Sequence, residues 1–117
     1  MLFNRGSIFW CNLSKNSNNN QTSVQRGTRP VILVSNNIGN NCAPTITVIP
    51  LTTKTKHPLP THVFIEGKNV LPAPSVALCE QIITVDKLQL GDKLGEVSAD
   101  ERRAINKSLA IALSLED

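Results

Sequence analysis

Apolar and polar positions alternate along most of this chain with the period of a strand, and change to the period of a helix only near its end. Over Ser7–Leu13, Ile8, Trp10 and Asn12 point one way while Phe9, Cys11 and Leu13 point the other, which predicts a first strand. Ser14–Thr28 then turns polar, with Asn18-Asn19-Asn20 inside it; a loop this long in a compact domain is functional, disordered or a tolerated insertion at a hairpin tip. Arg29-Pro30 opens a second strand, Val31-Ile32-Leu33-Val34, whose unbroken apolar run predicts burial on both faces. Asn36, Asn37, Gly39 and Asn40 read as a turn cluster. Thr45–Thr52 is a third strand rich in β-branched residues. Lys54, Lys56, His57, Pro58 and Pro60 make a basic, proline-punctuated loop, followed by strands at His62–Glu66 and Ser75–Ile83 and a short one at Leu94–Val97.

The period then changes. Ser98 and Glu101 fit a capping box, in which each side chain satisfies a free backbone donor of the other. Ile105, Leu109, Ala112 and Leu113 follow on one helical stripe, with Arg102, Arg103 and Lys107 off it as a solvated face. Five or six short strands followed by one amphipathic helix predict a mainly β fold: a small, strongly bent sheet or barrel with the C-terminal α-helix packed against it.

Bulk properties narrow this only a little. A chain of 117 residues builds one core, so a single domain is expected over 1–117 with its long polar loop at 14–28. Hydrophobic residues at 40% and charged residues at 18% exclude a disordered chain. The net charge of +3 permits a polyanionic partner without requiring one. Cys11, Cys42 and Cys79 are odd in number and form no C-x-x-C, which argues for reduced thiols rather than a disulfide framework or a structural zinc site. No apolar stretch reaches the length of a signal or membrane segment, so a cytoplasmic protein is the expectation.

Chemistry enters by elimination. His57 and His62 flank Pro58-Leu59-Pro60 and read as unrelated structural or exposed imidazoles. No nucleophile–histidine motif and no phosphate-binding glycine loop occurs. Asp86, Asp92, Glu96, Asp100 and Glu101 lie near turns and the helix start, where solvation and capping account for them. RNA, however, can be cut without a metal when its own 2′-hydroxyl attacks the neighbouring phosphorus. The protein must then move two protons and supply positive charge to the phosphorane. Arg29 can give that charge and a bidentate contact to phosphate, and Thr52 can donate to a non-bridging oxygen. Composition alone equally allows Arg29 to be a surface arginine at a strand start.

The segment Gly27-Thr28-Arg29-Pro30-Val31-Ile32-Leu33-Val34-Ser35-Asn36 closely resembles the second-strand motif of the MazF/PemK toxin family. The resemblance continues in order through Arg5-Gly6-Ser7-Ile8-Phe9-Trp10-Cys11-Asn12-Leu13, Val48-Ile49-Pro50-Leu51-Thr52, Leu59-Pro60-Thr61-His62-Val63, Ser75-Val76-Ala77-Leu78-Cys79-Glu80-Gln81-Ile82 and Thr84-Val85-Asp86-Lys87. It implies an SH3-like barrel that dimerises. It also implies sequence-selective, cofactor- and metal-independent cleavage of single-stranded RNA to 2′,3′-cyclic phosphate and 5′-hydroxyl ends. The implied partner is an antitoxin with an acidic, flexible tail. By the same resemblance Arg29 and Thr52 are the catalytic pair. Trp10, Asn12, Gln25, Asn36, Lys54, Lys56 and Gln81 line the RNA groove, offering an indole for stacking, amides for base edges and ammonium groups for phosphate.

Two substitutions depart from the family pattern. Ser23-Val24-Gln25-Arg26-Gly27-Thr28-Arg29 stands where S-E-Q-x-G-x-R is common, so Val24 replaces a glutamate; Asn12 replaces an aspartate common in the first strand. Any cleavage must therefore proceed without either carboxylate. The competing reading is a weakened or inactive homologue that binds RNA or a peptide on the same barrel. A third, borrowed from related barrel toxins that poison DNA gyrase, is disfavoured by Arg29 and Thr52.

Overall fold

The computed structural model describes residues 2–16, 27–54 and 58–115. Its strands are β1 (Ser7–Asn12), β2 (Thr28–Leu33), β3 (Thr45–Thr52), β4 (His62–Ile65), β5 (Ser75–Leu78), β6 (Ile83–Asp86) and β7 (Leu90–Glu96), with helices α1 (Asn37–Cys42) and α2 (Ala99–Ala112). The strands join in the order β4-β5-β3-β2-β1-β7, with β6 also on β3.

The third strand organises the sheet. Its first half, Thr45–Val48, pairs antiparallel with β6, its last two residues Leu51 and Thr52 pair with β5, and Val48–Pro50 pairs with β2 on the other side. β6 and β5 thus follow one another along one edge of β3, and the twisted sheet around it takes a barrel-like form. Pro50 stands at the hand-over from β6 to β5. The Val34 N–H donates to the Thr47 carbonyl at 2.9 Å, so by alternation Val31 and Pro50 form a non-hydrogen-bonded pair. The proline nitrogen therefore faces away from β2, where its missing N–H costs no bond of that ladder.

Both faces of the central strands are buried, as the Val31–Val34 run predicts. Ile8, Ile32, Ile49, Leu51, Val63, Ile65 and Ala77 form one core with Ile105 and Leu109 of α2. Phe9, Cys11, Leu13, Val31, Leu33, Ile46, Val48 and Val85 form the other, with Phe3, Ile83 and Leu90 against it.

The C-terminal helix begins on the expected capping box. Glu101 N–H donates to Ser98 Oγ at 3.1 Å, and Ser98 N–H donates to Glu101 Oε1 at 2.8 Å. The second carboxylate oxygen accepts the Glu66 N–H at 3.1 Å, which ties the helix start to the end of β4. Ser108 Oγ adds a bond to the Pro60 carbonyl at 3.0 Å.

The structure corrects the sequence reading in five places. The turn cluster at Asn36–Asn40 is the start of α1, because the Asn36 carboxamide caps it by accepting the Gly39 N–H at 2.7 Å. Six residues form no recognisable helical stripe, so the cap was the only local signal. The expected strand Ser75–Ile83 is two strands separated by a 3-10 turn at Cys79–Gln81, since β5 and β6 serve different halves of β3. The short strand at Leu94–Val97 begins earlier, at Leu90; Leu90 pairs with Cys11 and Lys93 with Phe9, and Gly91 and Asp92 lie where the register shifts between them, so no apolar alternation marks this stretch. Glu66 lies just beyond β4. Leu113 caps the end of α2 and is exposed, while Ser108 takes a buried place on the stripe.

Replacing Ser98 by alanine removes a side-chain acceptor from an exposed helix start. We expect Ser98→Ala to lower unfolding free energy by about 1 kcal/mol, read as a lower urea midpoint at unchanged slope.

Candidate functional site

Arg29 and Thr52 come from neighbouring strands whose register is fixed by core residues on either side. Arg29 pairs with Cys11 of β1. On its other side the β2–β3 ladder runs Leu33–Val48, Ile32–Ile49 and Val31–Pro50. The ladder ends there, at Pro30, which has no N–H to give to β3; Arg29 and Thr52 lie two residues beyond its last pair, each on the strand face shared by Val31 and Pro50. The backbone of Arg29 correspondingly turns to β1: the Leu13 N–H donates to the Gly27 carbonyl at 2.9 Å, and the same alternation makes Cys11–Arg29 a hydrogen-bonded pair.

Thr52 is buried, and its hydroxyl accepts the Lys54 N–H at 3.1 Å. An oxygen that accepts one bond keeps its own hydrogen to donate. Arg29 is half-buried and Lys54 exposed. Arg29 thus stands near the start of β2, with Thr52 at the end of β3 and Lys54 just beyond it. A guanidinium, a hydroxyl and an ammonium group are chemically suited to a phosphodiester, because they supply donors and positive charge.

The remaining candidates are distributed around this point. Trp10 and Asn12 lie opposite Pro30 and Thr28, so strand alternation sets them on the face of the hairpin away from Cys11 and Arg29. Asn12 Oδ1 accepts the Ser14 N–H at 3.1 Å. Gly91 packs closely on Trp10: a Cβ added there would lie 3.3 Å from the Trp10 Cβ. Asn36 is exposed, with its carboxamide oxygen engaged as the cap of α1. Gln81 is half-buried at the end of the 3-10 turn between β5 and β6. Gln25 and Lys56, with Val24 and His57, lie outside the described residues.

Sequence reasoning missed a polar clamp at the base of the proline loop. Glu80 accepts from Thr61 Oγ1 at 2.9 Å and contacts His62 Nε2 at 3.1 Å, while the Leu59 N–H reaches His62 Nδ1 at 3.3 Å. His62 therefore links Glu80 to the Leu59 backbone, a structural role. It also missed Gln89, although Asp86 and Gln89 have capping-box spacing; both bonds of that box are present. A groove of about 520 Å³ between β4 and α2 is lined by Pro60, His62, Val63, Phe64, Ala104, Lys107, Ser108 and Ile111. It contains none of the candidate residues, and its apolar walls offer little to a polyanion. Among the described residues no group of three His, Cys, Asp or Glu side chains is placed to hold a metal ion, and no helix is long and apolar enough to cross a membrane.

A family profile described as PemK-like, MazF-like toxin of type II toxin–antitoxin system matches residues 4–113. The chain is 37% identical over 119 residues to Endoribonuclease EndoA of Bacillus subtilis (strain 168), covering 100% of this chain and 99% of that one. Among solved structures it is similar to a mycobacterial endoribonuclease in complex with its cognate antitoxin, with a TM-score of 0.79 and 32% identity over 97% of both chains. It shares the fold of MazF from Deinococcus radiodurans, with a TM-score of 0.80 at 20% identity over 97% of this chain and 98% of that one.

The three thiols are free and stand in different surroundings: Cys11 and Cys79 are buried and Cys42 is exposed. Burial pushes the Cys11 thiol up to about 11. Burial, then the neighbouring Glu80 charge, pushes Cys79 up to about 12. Above the ordinary thiol range the unfolded chain releases these protons while the folded one retains them, so stability falls as pH rises. We expect the urea midpoint to hold up to about pH 8.5 and to decline as pH is raised toward 11 and 12. A thiol reagent at pH 8 should label Cys42 alone in the folded protein. Rapid native labelling of Cys79 would contradict this.

Proposed function

This chain belongs to the PemK-like, MazF-like toxin family of type II toxin–antitoxin systems and is an endoribonuclease, and we propose that Arg29 and Thr52 carry its chemistry. The observation that supports this reading is the register of β2 on β3, whose last pair, Val31–Pro50, stands two residues from Arg29 on one strand and two residues from Thr52 on the other. The substrate is single-stranded RNA, whose 2′-hydroxyl attacks the adjacent phosphorus. The Arg29 guanidinium contacts two phosphate oxygens and balances the charge of the phosphorane. The Thr52 hydroxyl donates to a non-bridging oxygen. The 2′-hydroxyl proton passes to water, the bond to the 5′ oxygen breaks, and that oxygen takes a proton from water, giving a 2′,3′-cyclic phosphate and a 5′-hydroxyl end. No metal or cofactor enters this scheme.

Trp10, Asn12, Gln25, Asn36, Lys54, Lys56 and Gln81 are proposed to seat the RNA, by stacking, base-edge bonds and phosphate contacts. The active form is a homodimer in the cytoplasm, within one domain spanning residues 1–117. Its neutralising partner is an antitoxin whose acidic segment competes for the cationic end of the barrel. The alternative, binding without cleavage, is favoured by one observation: Val24 and Asn12 stand where family members carry carboxylates.

The purified protein should cut a long single-stranded RNA in excess EDTA and leave 5′-hydroxyl ends. Arg29→Ala should lose at least about 10² in kcat, and Thr52→Val about 10². A requirement for added Mg²⁺, or full activity of Arg29→Ala, would sink the proposal. Saturable binding with no product from a random RNA pool would establish the non-catalytic alternative.

A further inference from the structure

At the end of β1 a chain of hydrogen bonds closes the polar excursion that leads to Arg29. The Leu13 N–H donates to the Gly27 carbonyl at 2.9 Å, and the Gly27 N–H returns to Ser14 Oγ at 3.0 Å. The Ser14 N–H in turn donates to Asn12 Oδ1 at 3.1 Å. Gly27 has a φ of +79°, a conformation that glycine adopts readily and other residues rarely. One member of the chain arrives from far away in sequence. Gln89, buried in the turn after β6, donates from Nε2 to the Asn12 carbonyl at 2.8 Å across 77 residues. Its Oε1 accepts the Asp86 N–H at 3.0 Å.

The two ends of the Gln89 carboxamide therefore do separable things. The oxygen completes the cap of its own 3-10 turn. The nitrogen does nothing for that cap, and instead fixes the residue at which β1 ends. We infer that Gln89 and Ser14 are positioning residues of the RNA-cleaving site, an inference that rests on the assignment of Arg29 above. Gln89 holds the Asn12 backbone, Ser14 holds Gly27, and Arg29, two residues on, enters β2 in register with Cys11. The same clasp orients Asn12. Its Oδ1 accepts the Ser14 N–H, which fixes the carboxamide and leaves the Nδ2 donors and one lone pair of Oδ1 for a base edge. A displacement of about 1 Å at a phosphate-contacting guanidinium is enough to cost orders of magnitude in rate, so the clasp has a kinetic consequence.

The experiment compares wild type, Arg29→Ala, Gln89→Glu and Ser14→Ala on one short single-stranded RNA, with sequencing of the 5′-hydroxyl ends from a long one. Gln89→Glu keeps the acceptor for Asp86 and replaces the donor to Asn12 by an oxygen. Ser14→Ala removes one exposed acceptor and leaves the core untouched. Each should lower kcat about tenfold with KM within about twofold, and relax base preference at the cleaved site. A purely structural role would lower the melting temperature and leave kcat and base preference of the folded protein unchanged. Either variant, folded and at wild-type kcat, overturns the inference; if Gln89→Glu does not fold, Ser14→Ala decides alone. Full activity of Arg29→Ala would overturn the proposed function itself, a result distinguishable from the others.

Discussion

The structure depends on one strand belonging to three ladders at once. Within the eight residues of β3, Thr45–Val48 serve β6, Leu51 and Thr52 serve β5, and Val48–Pro50 serve β2. Successive partners along one edge let β3 belong to both halves of the barrel-like sheet. The register also carries weight. A slip of β2 by one residue along β3 would exchange the faces on which every β2 side chain lies. Ile32 would leave one core while Val31 and Leu33 left the other. Burial on both faces thus makes the register very costly to change. Two residues beyond the last pair of that ladder stand Arg29 on one strand and Thr52 on the other.

This arrangement separates rigid scaffold from chemical surface within a few residues. Val31 is fully buried while Arg29, on the same face of the same strand, is half-buried. A guanidinium that must meet a phosphate benefits from a backbone it cannot pull out of place. The polar excursion before it is closed by bonds among Asn12, Leu13, Ser14 and Gly27, so its ends are set by the barrel. On the far side, Glu101 fastens α2 both to its own cap and to the Glu66 backbone. The helix thereby covers the core formed by Ile8, Ile32 and Ile49 without contributing candidate groups.

What could be read in the sequence follows from how local each signal is. The Val31–Val34 run announced two-sided burial because no alternation survives when both faces are apolar. The Ser98 and Glu101 box was legible because both partners lie within one turn. The break at Cys79–Gln81 was not, since Ser75–Ile83 stays apolar throughout and only β3, some thirty residues earlier in the chain, dictates that two separate strands are needed. The first residues of β7 carry glycine and charge, and pair as a strand through their backbone along β1. Arg29 became a candidate through an ordered set of motifs. Gln89 did not, because its partner Asn12 is remote in sequence and a carboxamide that caps a turn looks no different when it also reaches across the barrel.

The absence of two family carboxylates bears on how this site would work. A glutamate or aspartate beside the scissile phosphate could accept the 2′-hydroxyl proton, but it would also place negative charge against the incoming phosphodiester. On the proposed mechanism, a sequence with Val24 and Asn12 in place of those carboxylates gives up a proton acceptor and gains electrostatic attraction for the ground-state phosphate as well as for the phosphorane. Only the part of that attraction which grows as charge develops accelerates the step. A guanidinium aimed at the equatorial oxygens and a buried hydroxyl with one remaining donor both meet that condition, because their bonds shorten as the oxygens become more negative. Proton transfer from the 2′-hydroxyl then falls to water. On the proposed mechanism this chain therefore relies on fixed geometry at Arg29 and Thr52, and the bonds that hold the end of β1 to the start of β2 become part of its catalytic power.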